Sequence, residues 1–292
     1  MASVQQLKSR IKSVSSTKQI TGAMQMVSAS KMRRATESVK ETFDYASAAR
    51  ELLSELAHDP EITKIHDLFK KRIVKKRLII AISSDSGLAG AYNSNVFRMF
   101  TRELKADDSR HVRTDVLTLG RKISKFANKL NDVRVLGSFA KLPDQPTGAE
   151  IKSLLKMATD EFISGRSDAV DIIYTKFHST INQEVVVERL LPVGGTSSED
   201  AAKVGKNIRE AKFEPSRAEV LDVVVLRMVE TEIVQALLDS RASEHSMRMM
   251  AMKNATDNAN SLADDLTLAM NKERQARITQ ELTEIIGGSA AV

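Results

Sequence analysis

Apolar residues in this chain recur in two rhythms. Near the C-terminus Met252, Ala255, Ala259, Leu262, Leu266 and Ala269 alternate at spacings of three and four, the seam of a coiled coil. The phase then slips, and Ile278, Leu282 and Ile285 resume it. At the other end Leu7, Ile11 and Val14 form one stripe, and Ile20, Met24 and Val27 form a second after a similar slip. Between the ends the rhythm changes to short apolar runs: "RLIIAIS" (Arg77 to Ser83), "TDVLTLG" (Thr114 to Gly120), "VRVLGSF" (Val133 to Phe139) and "VDIIYTKF" (Val170 to Phe177). Unbroken runs of this length fit strands buried on both faces. Helical patterns separate them, one running through Leu104, one over Lys122 to Leu130 and one over Ala149 to Ile163. Strands alternating with helices predict an α/β domain with a mostly parallel sheet, and "QEVVVERLLPV" (Gln183 to Val193) follows closely enough to be an antiparallel edge strand.

Glycine and proline divide the chain in the same places. The first helix has one glycine, Gly22, and no proline before Pro60; all five prolines fall between Pro60 and Pro215. From Ser216 to Ile286 there is neither. This predicts a coiled-coil helix over 1–59, a Rossmann-like α/β domain over 60–212, and a second long helix over 213–292 that pairs antiparallel with the first. A continuous helix over Ser216 to Ile286 reaches about 105 Å at 1.5 Å per residue, about twice the diameter of a compact globule of this size, so it requires a partner along its apolar stripe. Alanines at the seam allow close approach, and the phase slips imply an irregular, asymmetric supercoil. The competing arrangement is a helical bundle that folds back at the polar stretch "DSRASEHS" (Asp239 to Ser246).

In an open α/β sheet ligands bind beyond the carboxyl ends of the strands, which makes Asp85, Ser86, Gly87 and Gly90 in "SDSGLAGAYN" the candidates for an enzyme's site. The glycines read G-x-x-G, lacking both the dinucleotide fingerprint and the G-K-[ST] of a phosphate loop, so a structural turn is the favoured reading. The alternative is an α/β nucleotide-binding enzyme with a coiled-coil appendage.

Charge and composition sharpen this picture. The net charge is +6, but Met1 to Thr36 carries seven Lys or Arg (Lys8, Arg10, Lys12, Lys18, Lys31, Arg33, Arg34) and no acid. Such a segment suits an acidic neighbour: nucleic acid, anionic lipid or an acidic protein surface. "KKRIVKKR" (Lys70 to Arg77) has no interleaved aromatics and reads as a solvated connector into the first strand. With no cysteine, disulfides and thiol chemistry are excluded, and five scattered histidines offer no metal spacing. The N-terminus lacks a signal peptide's apolar run and no stretch reaches the ~20 apolar residues of a membrane span, so a soluble, cytoplasmic chain is expected.

Three stretches resemble a known family. "IKSVSSTKQITGAMQMVSASKMRRA" (Ile11 to Ala35), "SSDSGLAGAYNSN" (Ser83 to Asn95) and "SEHSMRMMAMKNATDNANSLADDLTLAMNKERQARITQELTEIIGG" (Ser243 to Gly288) are similar to the signature regions of the γ subunit of F-type ATP synthase, bacterial type. The resemblance implies a non-catalytic rotor shaft without a cofactor or metal. Its terminal helices would form an asymmetric antiparallel coiled coil inside a ring of three α and three β subunits. The α/β domain would sit below, on the ε subunit and the membrane c-ring, as a peripheral protein at the cytoplasmic face of the plasma membrane with no direct membrane insertion and no nucleic acid. Proton flow through the c-ring would turn the shaft and drive ATP synthesis, or hydrolysis would turn it backwards.

The resemblance also assigns residues. Arg274, Gln275 and Thr279 match positions that meet a loop of the β subunit. Met24, with Lys31, Arg33 and Arg34 nearby, lies on the helix facing the β subunits' acidic lever, which would account for the basic N-terminus. Departures from the family's pattern are Ser86, Ala89 and Ala91 in the turn and Gly22 where Lys is usual. The regulatory cysteine insert of the chloroplast form is absent.

Overall fold

The computed structural model describes residues 3–57, 62, 66–130, 133–144, 146, 148–194 and 217–289. Helix α1 spans Val4–Ala57. After a 3₁₀ turn at Asp67–Phe69 come β1 (Lys76–Ile82), α2 (Tyr92–Ser109), β2 (Arg113–Leu119), α3 (Arg121–Ala127), β3 (Arg134–Phe139), α4 (Gly148–Ile163), β4 (Ala169–Phe177) and β5 (Gln183–Leu191). Helix α5 spans Arg217–Ser289. The predicted boundaries at 59/60 and 212/213 lie outside the described residues.

By contacts the chain falls into two compact units, one of Met1–Ala29 with Arg248–Val292 and one of Ser30–Met247. In the larger unit five strands form one sheet in the order β3-β2-β1-β4-β5. Pairings β1·β2, β1·β4 and β2·β3 are parallel and β4·β5 is antiparallel, as the apolar runs predict. Leu78, Ile80 and Ile82 of β1 point into a core shared with α4 (Leu154, Phe162), α1 (Leu53, Leu56) and α5 (Val229, Ile233, Leu237). Ile79 and Ala81, one residue out of phase, point the other way against Val96 and Phe100 of α2 and Ile123 of α3. The strands are continuous apolar runs because helices cover both faces. Arg77 departs from the expected solvated connector: it is 8% exposed, donates to Asp171 through Nε, and its Nη1 reaches Glu103 at 3.0 Å and Asp107 at 3.1 Å.

Helix α5 passes unbroken through Asp239 to Ser246, which excludes the bundle that folds back there. That stretch is polar because of what it packs against. Ser240 Oγ accepts from the Thr175 amide at 3.3 Å, Ser243 Oγ donates to the Thr175 carbonyl at 3.3 Å, and Ser246 Oγ donates to the Thr180 carbonyl at 2.7 Å. Small hydroxyls therefore satisfy backbone groups at the end of β4 and in the following hairpin, which would be costly to bury unpaired. The helix also continues through Gly287 and Gly288 to Ser289.

In the smaller unit α1 and α5 pair antiparallel, with Thr256 Oγ1 donating to Thr21 Oγ1 at 2.8 Å. Leu7, Thr21 and Ser28 are buried on α1, with Ile11, Val14, Lys18 and Gln25 half-buried between them. This heptad runs without a slip. Ile20 and Val27, predicted to carry the seam, are exposed, and the phase is kept by Lys18, Thr21, Gln25 and Ser28 instead. On α5 the seam is Met252, Thr256, Ala259, Ala263, Leu266 and Met270, so Leu262 and Ala269 face outward. Hydroxyls, amides and alanines occupy the contact, a pattern that hydropathy alone misplaces by one position.

Candidate functional site

The turn after β1 stands at the switch point of the sheet, where β1 has β2 on one side and β4 on the other. Its acid, Asp85, is committed to structure. One carboxylate oxygen accepts from the Arg121 amide at 3.1 Å and the other from the Lys141 amide at 3.0 Å, while Arg241 Nη2 of α5 approaches to 3.9 Å. Asp85 thus staples the loops after β1, β2 and β3 to the C-terminal helix. Ser84 Oγ donates to the Ser86 carbonyl at 2.5 Å, and the Ser84 amide donates to Asn93 Oδ1 at 3.2 Å, closing the turn on the first residues of α2. Gly120 adopts φ +100°, and a Cβ there would lie 2.1 Å from the Ser83 carbonyl oxygen, so the loop after β2 is also packed against this turn. Ala89, one of the departures, is buried.

The crevice that would receive a ligand is filled. Ile82, Ser83, Asp85, Tyr92, Leu119 and Gly120 meet Leu237, Ser240, Arg241 and Glu244 of α5 around a cavity of about 10 Å³, which is the size of one water. Arg241 is held there by the Glu244 carboxylate at 3.1 Å and the Leu142 carbonyl at 2.9 Å. Burial and the nearby Glu244 charge raise the Tyr92 phenol above its ordinary range, so it stays neutral. The stretch Asp239 to Ser246 is continuous helix, as favoured from the sequence; what the sequence did not reveal is that its serines and charges plug this polar crevice.

The residues assigned to an acidic partner are distributed differently from one another. Lys31 Nζ donates to Asp144 Oδ2 at 2.9 Å, so part of its charge is already answered within the chain. Burial alone would raise Asp144, but the hydrogen bond and charge of Lys31, with His245 and Arg241 behind it, hold that carboxyl below its usual range. Arg33 and Arg34 are exposed. Met24 is half-buried on the paired stretch of α1. Because Thr21 faces Thr256, the level of Met24 is separated from Arg274 by about 27 Å or more along α5, so the two groups do not form one site.

Arg274, Gln275 and Thr279 occupy a distinctive place. The Thr21–Thr256 register puts Val4, the first residue of α1, opposite Glu273, and from Arg274 onward α5 has no helix beside it among the described residues of its unit. Beyond that level the described side chains of α5, through Ile286, are exposed. Thr279 Oγ1 bonds back to the Gln275 carbonyl at 3.0 Å, Arg277 pairs with Glu281 at 3.1 Å and Gln280 with Glu284 at 3.0 Å. Arg274 has no ion pair among the described residues. Ile278, Leu282 and Ile285 are 49, 54 and 68% exposed, an apolar stripe with nothing of this chain's described residues to cover it.

Among the described residues no group of His, Asp and Glu could hold a metal ion, and no helix is long and apolar enough to cross a membrane.

Comparison with known proteins gives one result. The family model for ATP synthase matches residues 3–292. The ATP synthase gamma chain of Stenotrophomonas maltophilia is 39% identical over 292 residues, the whole of both chains, and that of Xylella fastidiosa is 40% identical over 293, again the whole of both. The fold is shared with a chain of the Euglena gracilis mitochondrial ATP synthase (TM-score 0.70, 16% identity, covering 99% of this chain and 94% of that one). It is shared too with a chain of the central stalk and c-ring of the Tetrahymena thermophila enzyme (TM-score 0.64, 24% identity, covering 81% and 99%). A Rossmann-like sheet whose crevice is closed by the chain's own C-terminal helix, a paired set of terminal helices, and a match from end to end leave one assignment: this chain belongs to the ATP synthase gamma-chain family.

Proposed function

We propose that this chain is the central rotor shaft of an F-type ATP synthase, coupling proton flow through a membrane c-ring to ATP synthesis or hydrolysis in a ring of three α and three β subunits. In this reading it has no catalytic site of its own. The ε subunit and the c-ring bind the α/β domain, and the complex lies at the cytoplasmic face of the plasma membrane. The functional division follows 1–59, 60–212 and 213–292, with both terminal segments serving the shaft.

The observation that carries the reading is the run of α5 beyond the start of α1. A helix without a partner gains little stability in water, and an exposed stripe of Ile278, Leu282 and Ile285 calls for a surrounding surface. A ring supplies one. Because one helix of the pair ends before the other, the tip presents different side chains in each direction. In a nearly three-fold ring each β subunit then meets different contacts, and only such differential contact can shift a conformational equilibrium. Arg274 is suited to the β-subunit loop because its planar, unpaired guanidinium can bind a carboxylate through two donors. Gln275 and Thr279, one turn apart, share a neighbouring face of the same helix, while Met24, Lys31, Arg33 and Arg34 would face the acidic lever. The nucleotide-enzyme reading loses ground because α5 occupies the crevice that a nucleotide would need.

The test is to co-express the chain with α and β of the same organism, intact, as Arg274→Ala, and ended after Glu273. The expected result is that the intact chain co-purifies and sustains multi-site ATP hydrolysis. Arg274→Ala should lower torque-dependent turnover several-fold while changing the chain's own stability by no more than about 0.5 kcal/mol, since the side chain is exposed. Unchanged turnover with Arg274→Ala would remove that residue's role, and failure of α and β to retain the intact chain would overturn the reading altogether.

A further inference from the structure

Within the larger unit, three carboxylates gather where α5 crosses the strands β4 and β5 beside α1. Glu232 and Asp239 sit two turns apart on one face of α5, and Glu188 comes from β5. The cations that face them are Arg50 of α1, whose Nε is 3.6 Å from Glu232, and Lys176 of β4, whose Nζ is 3.5 Å from Glu188. Tyr174 of β4 donates its hydroxyl to Glu188 Oε2 at 2.9 Å. Arg189 of β5 is turned to Asp171, with Nη2 at 3.2 Å from its Oδ2. On α5 between the acids, Gln235 Oε1 accepts from Thr42 Oγ1 of α1 at 2.7 Å. A cavity of about 260 Å³ lined by Arg50, Lys176, Glu188 and Glu232 adjoins the group.

Three acids therefore face two cations. Both cations are partly solvated, with 45 and 38% of their side chains exposed, while Glu232 and Asp239 are largely buried, at 16% of the side chain and 6% of the residue. Asp239 has no cation within ion-pair distance among the described residues. A buried carboxylate without a counter-charge keeps its proton rather than its charge. We propose that Glu232 and Asp239, gathered beside the Glu188 carboxylate, form a proton-binding site that fastens α5 to β4, β5 and α1 when it is occupied and loosens that seat when it empties.

The titration behaviour agrees with the geometry. Burial pushes Glu232 up to about 7 against the pull of Arg50, with Glu188 adding to the rise. Burial likewise pushes Asp239 up to about 7, opposed by Lys176 and reinforced by Glu188. In the unfolded chain these groups start from 4.5 and 3.8, so the folded chain holds extra protons between those values and about 7. Stability contributed by the site is highest at acid pH, falls as pH rises through that window, and is lowest above about pH 7. The site thus makes the seat of α5 respond to pH in the range where cells operate. This holds whether or not the chain acts as a rotor.

Two measurements on the full chain test it. Infrared spectra of the unaltered protein should show a protonated-carboxyl C=O stretch at pH 6 that disappears with a midpoint near 7; its absence at pH 6 overturns the proposal. Urea midpoints at pH 5 and 8.5 should fall markedly for the unaltered chain and fall less for Glu232→Gln and for Asp239→Asn. A parallel fall in all of them overturns it as well. Glu188→Gln, which removes a repelling neighbour, should move the infrared midpoint downward by a measurable fraction of a pH unit, and no movement would exclude Glu188 from the site.

Discussion

Asp171→Ala gives the sharpest test of how the α/β unit is held together. Asp171 lies in β4 at 2% exposure and takes hydrogen bonds from Arg77 of β1 and Arg189 of β5, so its one carboxylate joins three strands. Arg77 is itself buried but keeps two further carboxylates, Glu103 and Asp107, after the change. Arg189 has 31% of its side chain exposed and can turn to water. Removing one partner of a buried pair costs about 3 to 5 kcal/mol, and the surviving partners of Arg77 place this case at about 3 kcal/mol, the lower end. With a urea m-value of about 3 kcal/mol/M, the midpoint should fall by about 1 M. Far-UV circular dichroism of the full chain in urea measures it. A midpoint shift below about 0.3 M for Asp171→Ala would refute the claim that this carboxylate is structurally committed.

The other predictions concern the helix pair. Gly22 lies inside α1, and a Cβ there would meet nothing within 4 Å, so Gly22→Ala should stabilise the chain by about 0.5 to 1 kcal/mol, read as a higher urea midpoint. A drop would mean that the position needs glycine for a close approach. Leu7→Ala should speed amide exchange throughout the terminal pair, at a cost of about 2 kcal/mol, whereas Leu262→Ala should change exchange little, at no more than about 0.5 kcal/mol. Equal effects would contradict the register in which Ala263, rather than Leu262, faces α1.

Much of this protein was legible in its sequence. The apolar runs at Leu78 to Ile82, Val116 to Leu119 and Val170 to Tyr174 dictate strands covered on both faces, and the chain's order of strand and helix dictates a parallel sheet with an antiparallel edge. The absence of breakers after Pro215 dictates a long terminal helix. The three motif stretches carry the family, and with it the proposed roles of Arg274, Gln275 and Thr279.

Tertiary structure alone decided the seam and the crevice. A heptad scan follows the largest apolar side chains, which favoured Ile20, Val27 and Leu262, but antiparallel helices in close approach select small and hydroxylated residues, and so Thr21, Ser28, Thr256 and Ala263 lie inside. The stretch Asp239 to Ser246 reads as helix, with a bend there only the competing arrangement, but its sequence does not say what it packs against. Its hydroxyls are spent on backbone groups around the end of β4, more than 60 residues away in sequence. Where the tip of α5 loses its partner also depends on register, which Thr21 and Thr256 set across 235 positions. Local pattern reports which residues prefer a helix or strand; which face is covered, and by what, depends on distant groups that the chain brings together only on folding.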